Sequence, residues 1–299
     1  MALTLIATVL ALVLGHLAPG LARAVRDHRW FARWLRWLAA RPALAAWWRS
    51  GWGVVLAVVP PLLLVGLLQG LLDDAVWGLG GLLFGVAALF YAWGPRDLDR
   101  DVDAVVDAPD PIARRHAAVA LSDSGVAPAD ADALVTAVFR NALRRWFGVL
   151  LWFLLLGPVG AVGYRLVALL AAAAAAGRLP AGTARGASAV LRWIEWPVAQ
   201  LMSLALALVG SFDRVVTAWR AAGGAGLQPR ADFLGAAGRA AVASELAWDG
   251  TVAPPGAGAD PYVGDGGVVR LRKAMALVWR CLLAWLVVLA LFVIAGFVS

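Results

Sequence analysis

Apolar residues in this chain come in long blocks, and the polar positions between the blocks are dominated by Arg and Asp. Six blocks approach the ~20 residues that a helix needs to cross a bilayer, at about 2–21, 54–72, 76–93, 147–170, 194–210 and 275–298. The pattern predicts an all-α integral membrane protein. Its 1–299 span is expected to form one polytopic domain of five or six hydrophobic helical segments, with helical cytoplasmic loops at 22–53, 94–146 and 211–274.

The second and third blocks form a predicted hairpin, separated only by Asp73, Asp74 and Ala75. Each carries a pair of small residues at helix-packing spacing, Gly66 with Gly70 and Gly81 with Gly85. The fourth block, FGVLLWFLLLGPVGAVGYRLVALL, is interrupted near its middle by Gly157, Pro158, Gly160 and Gly163. That interruption predicts a broken or re-entrant helix.

Orientation follows from the distribution of basic residues. Stretch 22–53 carries Arg23, Arg26, Arg29, Arg33, Arg36, Arg41 and Arg49 against the single acid Asp27, whereas the 73–75 turn is acidic. The basic loop is therefore placed in the cytoplasm and the turn in the periplasm. If the fourth block re-enters, the loop 171–193 with Arg178, Arg185 and Arg192 is cytoplasmic as well.

On a helical wheel, Trp30, Phe31, Trp34, Leu35, Trp37 and Leu38 share one arc, and Arg26, Arg29, Arg33 and Arg36 share the other. A 26–38 helix of this kind suits the membrane interface, with arginines toward anionic lipid headgroups, or packing on the protein's own loops. Residues 250–267 are too rich in Gly and Pro for a regular element and read as a flexible connection.

Composition agrees with lipid as the solvent: hydrophobic residues make up 62% of the chain, charged residues 15%, and mean hydropathy is +0.79. A net charge of +7 would suit nucleic acid, but the basic residues are spread through loops that flank apolar blocks, so no nucleic-acid partner is expected. Cys281 is the lone cysteine, which excludes a disulfide framework and a thiolate metal cluster. No basic residue precedes the first apolar run and no small-residue cleavage site follows it, so that run is expected to remain as an anchor.

Familiar catalytic motifs are missing. Lys273, the lone lysine, follows no Gly-rich phosphate loop; His16, His28 and His116 fit no HExxH pattern; no serine sits in GxSxG. No catalytic set, metal or cofactor is therefore expected. Asp99, Asp103 and Asp107 form an i, i+4, i+8 ladder, which reads as a solvated helix face rather than a cation site because Arg96 and Arg100 interleave with it.

Ionisable residues within or beside the apolar blocks, namely His16, Arg165, Glu195 and Arg280, are more suggestive because each is costly in lipid unless paired. A broken segment exposes backbone groups, and a guanidinium nearby can grip phosphate or carboxylate. The candidate ligand-binding residues are accordingly Asn141, Arg144, Tyr164, Arg165 and Glu195, with Arg165 and Glu195 expected to meet across neighbouring helices.

The blocks FRNALRRWFGVLLWFLLLGPVGAVGYRLVALL and ASAVLRWIEWPVAQLMSLALALVGSFDRVVTAW resemble AmpE, an inner-membrane protein family associated with regulation of inducible β-lactamase. More distantly they resemble the CobD/CbiB membrane enzymes of cobalamin assembly. The first resemblance implies a multi-pass protein of the bacterial inner membrane that acts as a signalling partner near peptidoglycan recycling, with a cytosolic or membrane protein partner. The second implies an enzyme binding a polar or phosphorylated ligand at the broken helix. The loop 222–267 echoes the substrate segment of those enzymes only loosely.

Overall fold

The computed structural model describes residues 28–73, 79–93, 97–122, 125–250, 262–263 and 265–294. The first apolar block, His16, Asp74–Ala75 and most of the 250–267 connection lie outside them. Every regular element among the described residues is helical. In chain order the helices are α1 (Arg29–Ala39), α2 (Ala45–Arg49), α3 (Gly53–Asp73), α4 (Leu79–Ala92), α5 (Leu98–Val106), α6 (Pro111–Ala118), α7 (Ala131–Ala142), α8 (Gly148–Ala175), α9 (Ala181–Val209), α10 (Phe212–Ala221), α11 (Asp232–Trp248) and α12 (Gly266–Ile294). A short π-helical segment, Leu143–Phe147, joins α7 to α8.

Among the described residues, three stretches are long and apolar enough to cross a membrane: Gly53–Leu72, Ala131–Ala175 and Gly266–Leu291. Leu79–Ala92 is apolar but shorter. The fifth expected crossing, at 194–210, falls within α9, where Arg192, Glu195 and Gln200 dilute the apolar run, and α9 is not among the three. By its contacts the chain divides into two units, one formed by 1–95, 148–194 and 290–299 and the other by 96–147 and 195–289.

In the first unit, α8 packs on both α3 and α4. It is not a straight rod. Gly157 has φ 64° and ψ −149°, a conformation open to Gly and closed to residues with a β-carbon. The chain reverses there. A β-carbon on Gly148 would strike the Tyr164 ring, and one on Gly160 would strike the Trp152 carbonyl oxygen. In a continuous helix rising ~1.5 Å per residue those partners would lie roughly 24 Å and 12 Å apart. Both pairs are instead centred on residue 156, as the two arms of an antiparallel hairpin require. The expected interruption of the fourth block is thus a reversal, and both ends of the block point the same way.

Pro158 opens the return arm at a position where a helix has no use for an N–H. The next free amide, Val159 N–H, donates to Gln69 Oε1 at 3.3 Å. Gln69 therefore has a purpose in an otherwise apolar α3. Gly66 lies against Val159 and Gly163 against Leu62, so the return arm runs back along α3 from the hairpin tip. Gly70 meets nothing within 4 Å among the described residues, so of the two only Gly66 is seen against a neighbour. Close approach is achieved elsewhere in this unit, where Gly182 lies on the Arg49 carbonyl and Gly186 on that of Gly51.

The apolar arc of α1 is covered largely by protein. Phe31, Leu35 and Leu38 join Trp48, Val162, Leu166 and Leu170 in one buried cluster. Pro60 and Pro61 sit inside α3, and Pro61 has no N–H for the Ala57 carbonyl four residues earlier. Trp34 Nε1 supplies the missing donor at 3.0 Å. Trp30 Nε1 donates to the Tyr91 hydroxyl, tying α1 to α4. Trp37 stays exposed and stacks on Trp34 with ring centroids 5.1 Å apart.

In the second unit, α11 packs on α7 and α10. The α7–α11 crossing is close because Gly235 faces Thr136 and Gly238 faces the Phe139 ring. Asp110 and Asp130 cap α6 and α7 by accepting from Ala113 N–H at 2.8 Å and Ala133 N–H at 2.6 Å.

Gly157→Ala is expected to lower the stability of the solubilised protein by on the order of 1–3 kcal/mol, the cost of forcing a β-carbon into this region of φ and ψ. Gly70→Ala, which meets open space, is expected to leave the melting temperature unchanged. Thermal unfolding in detergent compares the two, and an equal response would mean that the chain does not reverse at Gly157.

Candidate functional site

The densest polar arrangement lies in the second unit, around the π-helical turn. Within Leu143–Phe147, Leu143, Trp146 and Phe147 are buried, and two consecutive arginines reach different carboxylates. Arg144 Nε donates to Glu195 Oε1 on α9 at 2.7 Å. An Arg145 terminal nitrogen donates to Asp101 Oδ2 on α5 at 2.5 Å, and its other one to the Ala120 carbonyl at 3.1 Å. Successive residues of a regular helix point about 100° apart, and a wider turn changes that angle. The π turn is where the chain directs adjacent guanidinium groups to separate acids.

Both acids are buried: side-chain exposure is 6% for Glu195 and 7% for Asp101, against 30% for Arg144 and 12% for Arg145. A charge this far from water needs its counter-ion. Asp101 is buried because it shares the inward face of α5 with Leu98, Val102 and Val105. The acidic ladder emphasised Asp99, Asp103 and Asp107 and passed over Asp101. Of those three, Asp103 and Asp107 are exposed, while Asp99 Oδ1 accepts from Trp279 Nε1 at 2.9 Å. The i, i+4, i+7 apolar spacing of Leu98, Val102 and Val105 is the signal that places position 101, at i+3, on the same face. No group of three or more metal-ligating side chains occurs among the described residues.

Of the five candidate residues, Arg144 and Glu195 are joined directly. Asn141 is buried one turn earlier, where its Nδ2 donates to the Leu121 carbonyl at 2.7 Å and to Ala137 at 2.8 Å, clamping the preceding 3₁₀ turn to α7. Tyr164 and Arg165 belong to the first unit. Tyr164 lies on Gly148 inside the hairpin, and Arg165 Nε donates to the Ala92 carbonyl at 2.6 Å. Ala92 is the last residue of α4, so Arg165 places a cation at the negative end of that helix and satisfies a carbonyl left over by its termination. Arg280 of α12 pairs with Glu245 of α11 at 2.9 Å.

The cavity beside Glu195, walled by Thr136, Arg140, Leu143 and Asp232, holds about 20 Å³. That is on the order of a single water, far below the roughly 300 Å³ at which small-molecule sites begin. A larger, polar cleft of about 650 Å³ lies near it, lined by Asp130, Asp132, Thr136, Arg140 and Arg239. Its charges already face one another, with Arg270 3.1 Å and Arg239 3.8 Å from Asp132. The chain matches no protein-family model, no curated protein and no solved structure.

The Arg144–Glu195 pair yields an asymmetric prediction. Arg144→Leu removes the counter-ion of a nearly inaccessible carboxylate, a change that costs about 3–5 kcal/mol in buried pairs, whereas Glu195→Leu leaves an arginine that reaches water. The arginine substitution is therefore expected to lower the melting temperature more, and the double substitution to recover part of the loss. Strict additivity across the cycle would show that the two side chains are not coupled.

Proposed function

We propose that this chain is a multi-pass membrane protein of the bacterial inner membrane with a regulatory role of the AmpE type, linked to β-lactamase induction and peptidoglycan recycling through a protein partner. The role rests on the resemblance carried by residues 139–170 and 187–219. The membrane placement has its own support: α3 exposes Leu63, Leu64, Leu67 and Leu71, and only 17% of its apolar window is buried. Water would penalise such a surface, at roughly 25 cal/mol per Å² of apolar area, and lipid would not.

In this placement α3 and α4 cross the bilayer, the α8 hairpin inserts from the cytoplasmic side, and α12 crosses once more. The pairing of α7 with α11 favours one side for the loops 94–146 and 211–274. Arg178 and the α1 residues Arg29 and Arg36 line one cavity in the first unit, which favours a common side for the loops 22–53 and 171–193 with respect to each other. The CobD/CbiB-like alternative needs a ligand at the broken helix, where the candidate Tyr164 lies on Gly148 and Arg165 donates to the Ala92 carbonyl.

Two measurements test the proposal. With Cys281 replaced, cysteines introduced at Asp73, Asp110, Arg178 and Asp249 should react with an impermeant reagent from the periplasm only at position 73; labelling at 178 would mean that the fourth block crosses outright. Deletion of the gene from a host with inducible β-lactamase should alter induction or muropeptide pools, and no change in either would overturn the regulatory role.

A further inference from the structure

The first unit contains a cavity of about 460 Å³ between α1, α2 and the last turns of α8, within the range of small-molecule sites. Its floor is apolar, with Phe31, Leu169 and Ala173 among the contributors, and its rim carries Arg29, Arg36 and Arg178. All three arginines are exposed, and among the described residues no Asp or Glu lines the cavity. Arg178 comes from the turn after α8, over a hundred residues beyond α1, so it is the fold that brings the cationic rim together. The surroundings carry the signature of a membrane–water boundary: Trp37, Trp47 and Trp52 are exposed at 44%, 57% and 62%, beside the N-terminal end of the apolar α3.

We infer that this cavity is a discrete site for one anionic phospholipid, with the phosphate held among Arg29, Arg36 and Arg178 and one acyl chain laid along the apolar floor. A soluble phosphate would use the rim and leave the floor wetted. A zwitterionic lipid would bring an ammonium into a ring of guanidinium groups. The anionic lipid alone satisfies both surfaces, since guanidinium groups pair with phosphate in bidentate fashion and apolar chains are favoured on apolar walls. The inference depends on the bilayer placement proposed above and not on the regulatory role.

Full-length protein in detergent, offered phosphatidylglycerol and phosphatidylcholine and examined by native mass spectrometry, should retain one phosphatidylglycerol per chain and no phosphatidylcholine. Arg36→Gln with Arg178→Gln should weaken retention at least tenfold, while Arg33→Gln, on α1 but outside the cavity, should not. Ala173→Phe, which fills the floor and keeps every charge, should weaken it as well, with a melting temperature confirming that the variant is folded. Equal loss with Arg33→Gln would show diffuse surface charge, and retention of both lipids would remove the phosphate selectivity. Displacement by millimolar inorganic phosphate would show a headgroup-only site. Each of these results overturns the inference. Fractionation of the same variants with membranes reports on bilayer placement separately.

Discussion

A backbone N–H or C=O that a helix's own turns leave unsatisfied needs another partner wherever water is excluded, and the first unit is organised around that requirement. Three irregularities in its apolar helices are met by side chains from other elements. Trp34 reaches the Ala57 carbonyl left without a donor by Pro61, and Arg165 reaches the Ala92 carbonyl at the end of α4. Gln69 meets the Val159 amide at the start of the return arm. These three contacts fix α1 on α3, α4 on α8 and α8 on α3. Packing between the helices follows from them, with glycines wherever the approach is too close for a β-carbon.

The second unit meets a related constraint with charge. Asp101 and Glu195 lie on faces that are otherwise apolar, and each draws an arginine from the same π-helical turn. Such pairs are poor sources of net stability, because desolvation consumes most of the attraction, but the loss of one partner is expensive. They act as constraints on which helices meet and in which register. Arg144, read as a ligand-binding candidate, is in this structure an element of that constraint.

The sequence exposed the helical class and the apolar blocks, because long apolar runs bounded by arginines leave few alternatives. It also exposed the break at Gly157-Pro158, where two residues with special backbone demands adjoin. It did not separate a kink from a reversal, since that depends on what Gly148 and Gly160 face sixteen and eight residues away. The roles of Gln69 and Asp101 were equally hidden, as each is defined by a partner remote in the chain. The Gly66–Gly70 spacing carries the same limit: spacing specifies a helix face, and only the fold specifies which neighbour comes to it, here Val159 against Gly66. Arg165 and Glu195 were marked as residues whose charge needs a partner, but they do not partner each other as expected: Glu195 takes Arg144, and Arg165 takes the carbonyl at the end of α4.

The contact between Gln69 and Val159 joins residues separated by 90 positions. A ribosome adding roughly 5–20 residues per second produces the second about 5–18 s after the first. Through that interval the Gln69 amide waits in α3, and the hairpin tip has no polar partner until it arrives there. The order of synthesis therefore matches the order of need. The acceptor is in place first, and the segment that requires it docks against a finished template.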